Sequence, residues 1–500
     1  MRDAGLPMTS SIGRATFVSG VVDGVLALVA LGVTPLLVRH LGTEPYGVIG
    51  LVTVLSTQLS TLQLGVGPAL LRALGEARGR GDAPSLRATL EAGAMLSALS
   101  ALAIGAASLV LAPRAWNDAF ATSAAVKPQA LAAVPATALL LALQPLLAVL
   151  YASLSGLERF PLLNAIRLAH GLLRSALGAW AAVRGGGLVG VLLAQAAADA
   201  VAIAIAPLVF RAAAPPARGH APLRSAAAQL LRLGVPLSVA GIASGLLLDG
   251  DKIALGMLRS VAEVAYYTVP LGVVGRLGSF AGTACIFLVP RLAAAAAAGR
   301  SEESAQLAAR ATRLGLCLTA AAAAPLLAIA PELLSLWLGP AFSERAAPAA
   351  RVLLVGLAVQ ASIYGAHAAI RARAPASTLA VVYALELPAF ALILWLFVRP
   401  WGVTGAAFAW ALRLALDAVL QHALARRSLG TPVVPLALPA LAVGALALLA
   451  LACHAAGPAL PALRLAAGVA ASAGALALLP AGDRDSLRRA LWLAPNRGAA

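Results

Sequence analysis

Fourteen apolar stretches constrain this chain more than any other feature. They lie near 16–38, 46–71, 88–112, 131–154, 161–183, 187–210, 231–257, 265–289, 306–330, 349–370, 377–398, 402–424, 433–455 and 462–480. Each is close to the ~20 residues a helix needs to cross the hydrocarbon core of a bilayer. Only helices and closed barrels satisfy every backbone polar group there, so stretches of this length predict an all-α polytopic membrane protein. Composition agrees: 11% of the 500 residues are charged, against about 25% for a soluble domain.

Basic residues orient the spans. With the N-terminus inside, 23 of the 37 Lys and Arg residues fall in inside segments, 9 in outside segments and 5 within spans. Each inside–outside alternation follows the positive-inside rule except the short loop at Arg159. An even number of spans with both termini cytoplasmic is expected. The net charge of +17 does not point to nucleic acid, because most basic residues flank apolar spans, where anionic headgroups attract them. Cys285, Cys317 and Cys453 are isolated within apolar stretches and show no metal spacing. The first apolar stretch is too long for a signal h-region and reads as a span.

The chain contains a repeat. Arg184, Gly187 and Gly190 match Arg399, Gly402 and Gly405 at an offset of 215, and Arg39, Glu44 and Tyr46 match Arg259, Glu263 and Tyr266 at about 220. Such a period predicts two homologous lobes, here of six helices each and in the same orientation, around a central pathway. The expected organisation is an N-terminal lobe over 1–210, a cytoplasmic linker over 211–228 with Pro215, Pro216 and Pro222, a C-terminal lobe over 229–427, a further helix pair over 428–482, and a cytoplasmic tail over 483–500. The tail is basic and amphipathic, with Arg484, Leu487, Arg488, Leu491 and Trp492, and is expected to lie on the membrane surface.

Arg174, Arg276 and Arg413 stand near the middle of spans. A charge at the bilayer centre costs at least ~2.5–3.5 kcal/mol, and such residues face a bundle interior or a watery cavity. In the fifth span Asn164, Arg167, His170 and Arg174 share one helical face, expected to line a cavity and, with Arg276 and Arg413, to bind a diphosphate. Arginine suits a diphosphate because its planar fork gives bidentate hydrogen bonds. The competing reading is an interhelical ion pair, for instance Arg174 with Asp199. Arg413 and Asp417 stand at i, i+4 and are able to pair on one helix. At the repeat offset Arg413 corresponds to Ala198 and Arg276 to Ser56, so the repeated scaffold itself does not require these charges. Asp23, Asp199 and Glu386 are further intramembrane acids, suited either to ion coupling or to neutralising arginines. Asp249 and Lys252, at i, i+3, read as a local salt bridge or a gate.

Several segments resemble a known family. Val38-Arg-His-Leu-Gly-Thr-Glu-Pro-Tyr-Gly47, Leu62-Gln-Leu-Gly-Val-Gly67, Asp249-Gly-Asp-Lys-Ile-Ala-Leu-Gly256, Glu263-Val-Ala-Tyr266, Val289-Pro-Arg-Leu292 and Gly402-Val-Thr-Gly-Ala-Ala407 are similar, in order, to motifs of the polysaccharide-transporter (Wzx-type) branch of the multidrug/oligosaccharidyl-lipid/polysaccharide flippases. The resemblance covers about 10–425 and departs at Ala265, where the family often has glycine. It implies two lobes arranged as a V around a cavity. It also implies flipping of an undecaprenyl-diphosphate-linked oligosaccharide (an O-antigen, capsule or exopolysaccharide unit) across a bacterial inner membrane, with the lipid-linked glycan, membrane lipids and a polymerase or export machinery as partners. Two neighbouring readings stay open: a peptidoglycan-precursor flippase and a cation-coupled drug exporter. No phosphate-binding loop, His-Glu-x-x-His or nucleophile elbow is present, so neither an enzyme nor a cofactor is expected. A polymerase predicts one large outer loop, and the longest outer segment, about 113–130, is short.

Overall fold

A computed structural model describes residues 8–61, 65–213, 221–286, 292, 294–295, 298–373, 376–429, 437–455, 460–480 and 483–484, with backbone alone for 8–17 and a few other helical positions. Residues 62–64 and 289–291 of the motifs above, residues 214–220 of the 211–228 linker, the Cys285 side chain and the tail from 485 lie outside this description.

The described residues are helical, without strands. The first ten helices are α1 (Met8–Leu41), α2 (Thr43–Thr61), α3 (Val66–Gly79), α4 (Ala83–Arg114), α5 (Lys127–Ala132), α6 (Val134–Gly156), α7 (Phe160–Val183), α8 (Gly187–Ala204), α9 (Ala206–Ala213) and α10 (Leu223–Leu258). There follow α11 (Val261–Ile286), α12 (Ser301–Ala328), α13 (Ala330–Leu338), α14 (Pro340–Arg373), α15 (Ala376–Leu429), α16 (Ala437–Ala455) and α17 (Pro461–Ala477). Each of the fourteen apolar stretches is largely helix. Among the described residues, seven helices are long and apolar enough to span, and the pair 223–238 and 241–258, bent by 41°, makes an eighth if it is one span. The expected count of fourteen is not reached by that measure. α7 carries a polar stripe, and the apolar parts of α16 and α17 are under 18 residues. The stretch 46–71 is not one unbroken helix: Gly65, just before α3, has a left-handed φ of 62°.

α15 counters this by holding two spans. Its apolar part, 381–427, would be about 70 Å long as one rod, more than twice the ~30 Å hydrocarbon core. At Gly402 the backbone breaks, with φ 50° and ψ −126°. Only glycine adopts such angles without steric cost. Gly187, its partner in the repeat, also has a positive φ, 58°.

The chain forms two compact units, 1–265 and 266–500. The division falls within α11 and not in the 211–228 linker. α10, which the repeat assigns to the second lobe, packs on α2, α3 and α4 of the first unit. Glycines allow it. A Cβ on Gly65 would stand 2.1 Å from the Gly234 carbonyl oxygen, and one on Gly245 would stand 1.8 Å from Gln58 Oε1. Lipid is as apolar as leucine, so helix association in a bilayer rests on such close packing and on interhelical hydrogen bonds. The core of the first unit centres on Leu70, Leu74, Leu90 and Leu230. A core cluster of the second is largely alanine: Ala308, Ala366, Ala369 and Ala425 with Leu292 and Ile370.

Candidate functional site

α7 begins after Arg159 with Pro161 in its first turn, where the missing N–H costs nothing. From there its polar stripe runs along one face and meets α1, α6 and α8. Toward α1, Ser19 donates to Asn164 Oδ1 at 3.1 Å, and Arg167 Nη2 pairs with Asp23 at 2.6 Å. Asn164 Nδ2 is buried without a partner among the described residues. Gly171 lets α1 close in, since a Cβ there would lie 2.5 Å from Leu26 Cδ2.

Deeper along α7, the stripe joins a network around Asp199 of α8, which is fully buried. His170 Nε2 lies 2.7 Å from Asp199 Oδ1, and Gln144 Nε2 donates to Oδ2 at 2.8 Å. An ionised carboxylate only accepts, so Nε2 carries the imidazole proton, and His170 Nδ1 accepts from the Tyr151 hydroxyl at 2.8 Å. Arg174 gives Nη1 to Asp199 at 3.4 Å and Nη2 to Gln195 Oε1 at 3.1 Å. The interhelical ion pair weighed from the sequence is present, but Arg174 is its outlying member. The guanidinium side chain keeps 25% exposure where Asp199 has none. Two of its five N–H donors are used in these bonds, so the rest remain for another acceptor. Along the α7 stripe, Asp23 is paired with Arg167 and Asp199 with Arg174.

In the second unit the fold-back of α15 at Gly402 brings Arg413 to Glu386. Arg413 Nη1 stands 3.7 Å from Glu386 Oε2, and its guanidinium lies over the Phe390 ring, 5.4 Å from the centroid. The expected i, i+4 pair with Asp417 is replaced by this contact among the described residues. Contact with Phe390 draws the arginine toward the first half of α15. Asp417 instead accepts from Gln421 Nε2 at 2.7 Å, and Gln421 Oε1 accepts from His367 Nδ1 at 3.1 Å. Arg276, on α11 of the same unit, donates Nη1 to the Gly272 carbonyl one turn earlier at 3.0 Å.

Lys252 and Asp249 do form the local salt bridge, with Asp251 3.9 Å from the same ammonium. Gln58 of α2 reaches across to Asp249 Oδ2 at 2.8 Å. The group therefore ties α10 to α2.

Sequence reasoning named the α7 stripe and its acids but missed Gln144, Tyr151 and Gln195 in the first unit, and Gln421 and His367 in the second. Each had a visible signal, an amide, phenol or imidazole inside an apolar span, but it bonds to a residue on another helix, although Gln421 also stands at i, i+4 from Asp417. No group of His, Cys, Asp and Glu able to hold a metal occurs among the described residues.

The family profile for polysaccharide biosynthesis proteins matches residues 12–295, more than half of the chain. No curated protein matches. Among solved structures, an inward-facing multidrug-resistance MATE transporter of the MOP superfamily superposes with a TM-score of 0.68 at 16% identity, covering 81% of this chain and 94% of its own. The lipid II flippase MurJ, in an inward closed conformation, gives 0.69 at 10% identity, covering 95% and 100%. A MOP transporter from Pyrococcus furiosus, described by a reversed polarity of its binding pocket, gives 0.56 at 16%, covering 83% and 94%. These identities speak for the fold. Taken with the profile match, they establish that this chain is a multi-span membrane protein of the polysaccharide biosynthesis family, built on the fold of the MOP-superfamily transporters.

Proposed function

We propose that the protein flips an undecaprenyl-diphosphate-linked oligosaccharide from the cytoplasmic to the outer leaflet of a bacterial inner membrane by alternating access. Both termini would be cytoplasmic. The observation that carries the reading is Arg174: a guanidinium inside a span, held by Asp199 and Gln195 yet a quarter exposed and with donors to spare. A polysaccharide-biosynthesis transporter needs such a group where a diphosphate crosses the bilayer. Arg276 and Arg413 supply positive charge in the second unit. Arg167, His170 and Asn164 set the position of α7 against α1 and α8. A polymerase or export machinery would receive the flipped unit.

A peptidoglycan-precursor flippase is the second reading, favoured by the full-length superposition on the lipid II flippase. Its cargo shares the diphosphate. Basic residues along the α7 stripe oppose a cationic drug as cargo.

Deletion of the gene followed by lipid extraction tests the proposal. A lipid-linked oligosaccharide accumulating on the cytoplasmic leaflet is expected. Accumulation of the peptidoglycan precursor would select the second reading. Arg174→Ala, Arg276→Ala and Arg413→Ala proteins that all insert normally and flip at wild-type rates would overturn the role of the arginines.

A further inference from the structure

The repeat keeps one pair of surface residues in both copies. Trp180, in the last turn of α7, and Arg184, just after it, correspond at the offset of 215 to Trp395 and Arg399 in the first half of α15. The side chains meet in the same way each time. The Arg184 guanidinium carbon lies 5.9 Å from the centroid of the Trp180 ring, and that of Arg399 lies 4.8 Å from the centroid of Trp395. Three residues on, Gly187 and Gly402 turn the chain at positive φ. The residues around the pair differ between the copies: Ala181 and Ala182 stand against Leu396 and Phe397, and Gly185 and Gly186 against Pro400 and Trp401.

Packing does not explain the pair. Trp180 is 59% exposed and Trp395 47%, and both arginines are exposed. Each pair stands where two apolar stretches meet, 161–183 with 187–210 and 377–398 with 402–424, which puts it at the depth of the lipid headgroups. Tryptophan is common at that depth, but a ring that only anchors a helix has no use for a cation over its face.

Ring and cation together suit a phosphate. Stacking takes the face of the guanidinium and none of its five N–H donors, which lie in the plane and match phosphate oxygens two at a time. The indole adds one N–H donor and an apolar flank for the carbon chain that a lipid phosphate carries. No acid that would repel an anion stands within ten residues of either arginine along the chain. A free anion would leave the indole flank uncovered, and two sites, one in each unit, exceed what one cargo diphosphate needs.

We infer that Arg184 on Trp180 and Arg399 on Trp395 form two equivalent binding sites for the phosphate of an anionic phospholipid of the bilayer. This goes beyond the proposed cargo and does not depend on it.

The test is native mass spectrometry of the purified full-length protein, titrated with phosphatidylglycerol and with no cargo added. Wild type should hold two more lipids than the Arg184→Gln/Arg399→Gln double variant, and each single variant should lose one, its site weakened about tenfold. The Trp180→Leu/Trp395→Leu double variant, which keeps both arginines, should weaken the same two sites. All four side chains are exposed, so these variants leave the core intact. Equal lipid binding by wild type and either double variant overturns the inference. So does an equal loss in Arg114→Gln, at the end of α4, which would reduce the effect to surface charge. Displacement of the lipid by an equal concentration of inorganic phosphate would show a free-anion site and overturn it too. Each of these results leaves the flippase reading standing, since no flipping is measured.

Discussion

Asp199 is the residue on which most of the first unit's polar chemistry converges. It is fully buried and accepts from His170, Gln144 and Arg174. Removing one partner of a buried ion pair costs ~3–5 kcal/mol, because the other is left uncompensated. Asp199→Ala is therefore expected to lower unfolding stability by about that amount, measured by denaturant titration in detergent micelles. Arg174→Ala should cost less, since Asp199 keeps His170 and Gln144, and its effect should fall on flipping. A reversed order would mean that Arg174 is structural. Outside the membrane, Asp82 caps α4. Hydrogen bonds from Ser85 hold its carboxyl below the ordinary value of 3.8. A depressed carboxyl stabilises above its unfolded value and loses that contribution as pH falls through the folded one. Asp82→Asn, which keeps the cap, should remove that acid-side loss from a plot of unfolding midpoint against pH. The α7 stripe was legible in the sequence because period alone puts Asn164, Arg167, His170 and Arg174 on one face. What each would touch was not, because Gln144 and Tyr151 come from α6, and no spacing along one helix reveals a neighbour.

Helices in this protein meet where a side chain is missing. On α14, a Cβ at Gly365 would stand 2.0 Å from the Ala308 carbonyl oxygen and 2.3 Å from Thr312 Oγ1. No rotamer relieves a clash with backbone, so Gly365→Ala must push α14 off α12, at ~1–3 kcal/mol for an overpacked core. Gly402→Ala is expected to cost ~1–2 kcal/mol for a different reason, the left-handed φ that an L side chain resists. Gly275→Ala, with open space around it, is the matched control. Unfolding midpoints that leave all three variants equal would remove glycine packing from the account. Element boundaries show the same physics. Apolar content announced the spans at 377–398 and 402–424, but hydropathy does not register that Gly402 turns the chain between them. Nor does it register the left-handed break at Gly65 within the stretch 46–71, because Leu62 to Leu64 are as apolar on average as a span.

At the scale of the whole molecule, the helix pair beyond the repeat has a definite seat in the second unit. α17 runs antiparallel to α12. Arg464 pairs with Glu332 just beyond one end of α12, Gly468 admits the backbone at Ala324 and Pro325, Ser472 donates to the Ala321 carbonyl at 2.7 Å, and Asp483 pairs with Arg310. Arg464 is a charge inside an apolar stretch, and its partner Glu332 lies 132 residues away, between two apolar stretches, so no local spacing pairs them. The pair is asymmetric, with the Arg464 side chain 4% exposed and that of Glu332 35%, so losing the acid strands the more buried charge. Arg351 lies close enough to act on both, and with Glu332 gone the two arginines repel with nothing between them. Glu332→Ala should therefore destabilise by ~3–5 kcal/mol and expose α17 to limited proteolysis. Arg464→Met, which removes the buried charge and keeps an apolar stem, should cost less. The double variant Arg464→Met with Glu332→Leu should return close to wild type, because a well-packed apolar pair replaces a buried ionic one at little cost. A double variant as unstable as Glu332→Ala alone would show instead that the ion pair itself seats α17 on α12.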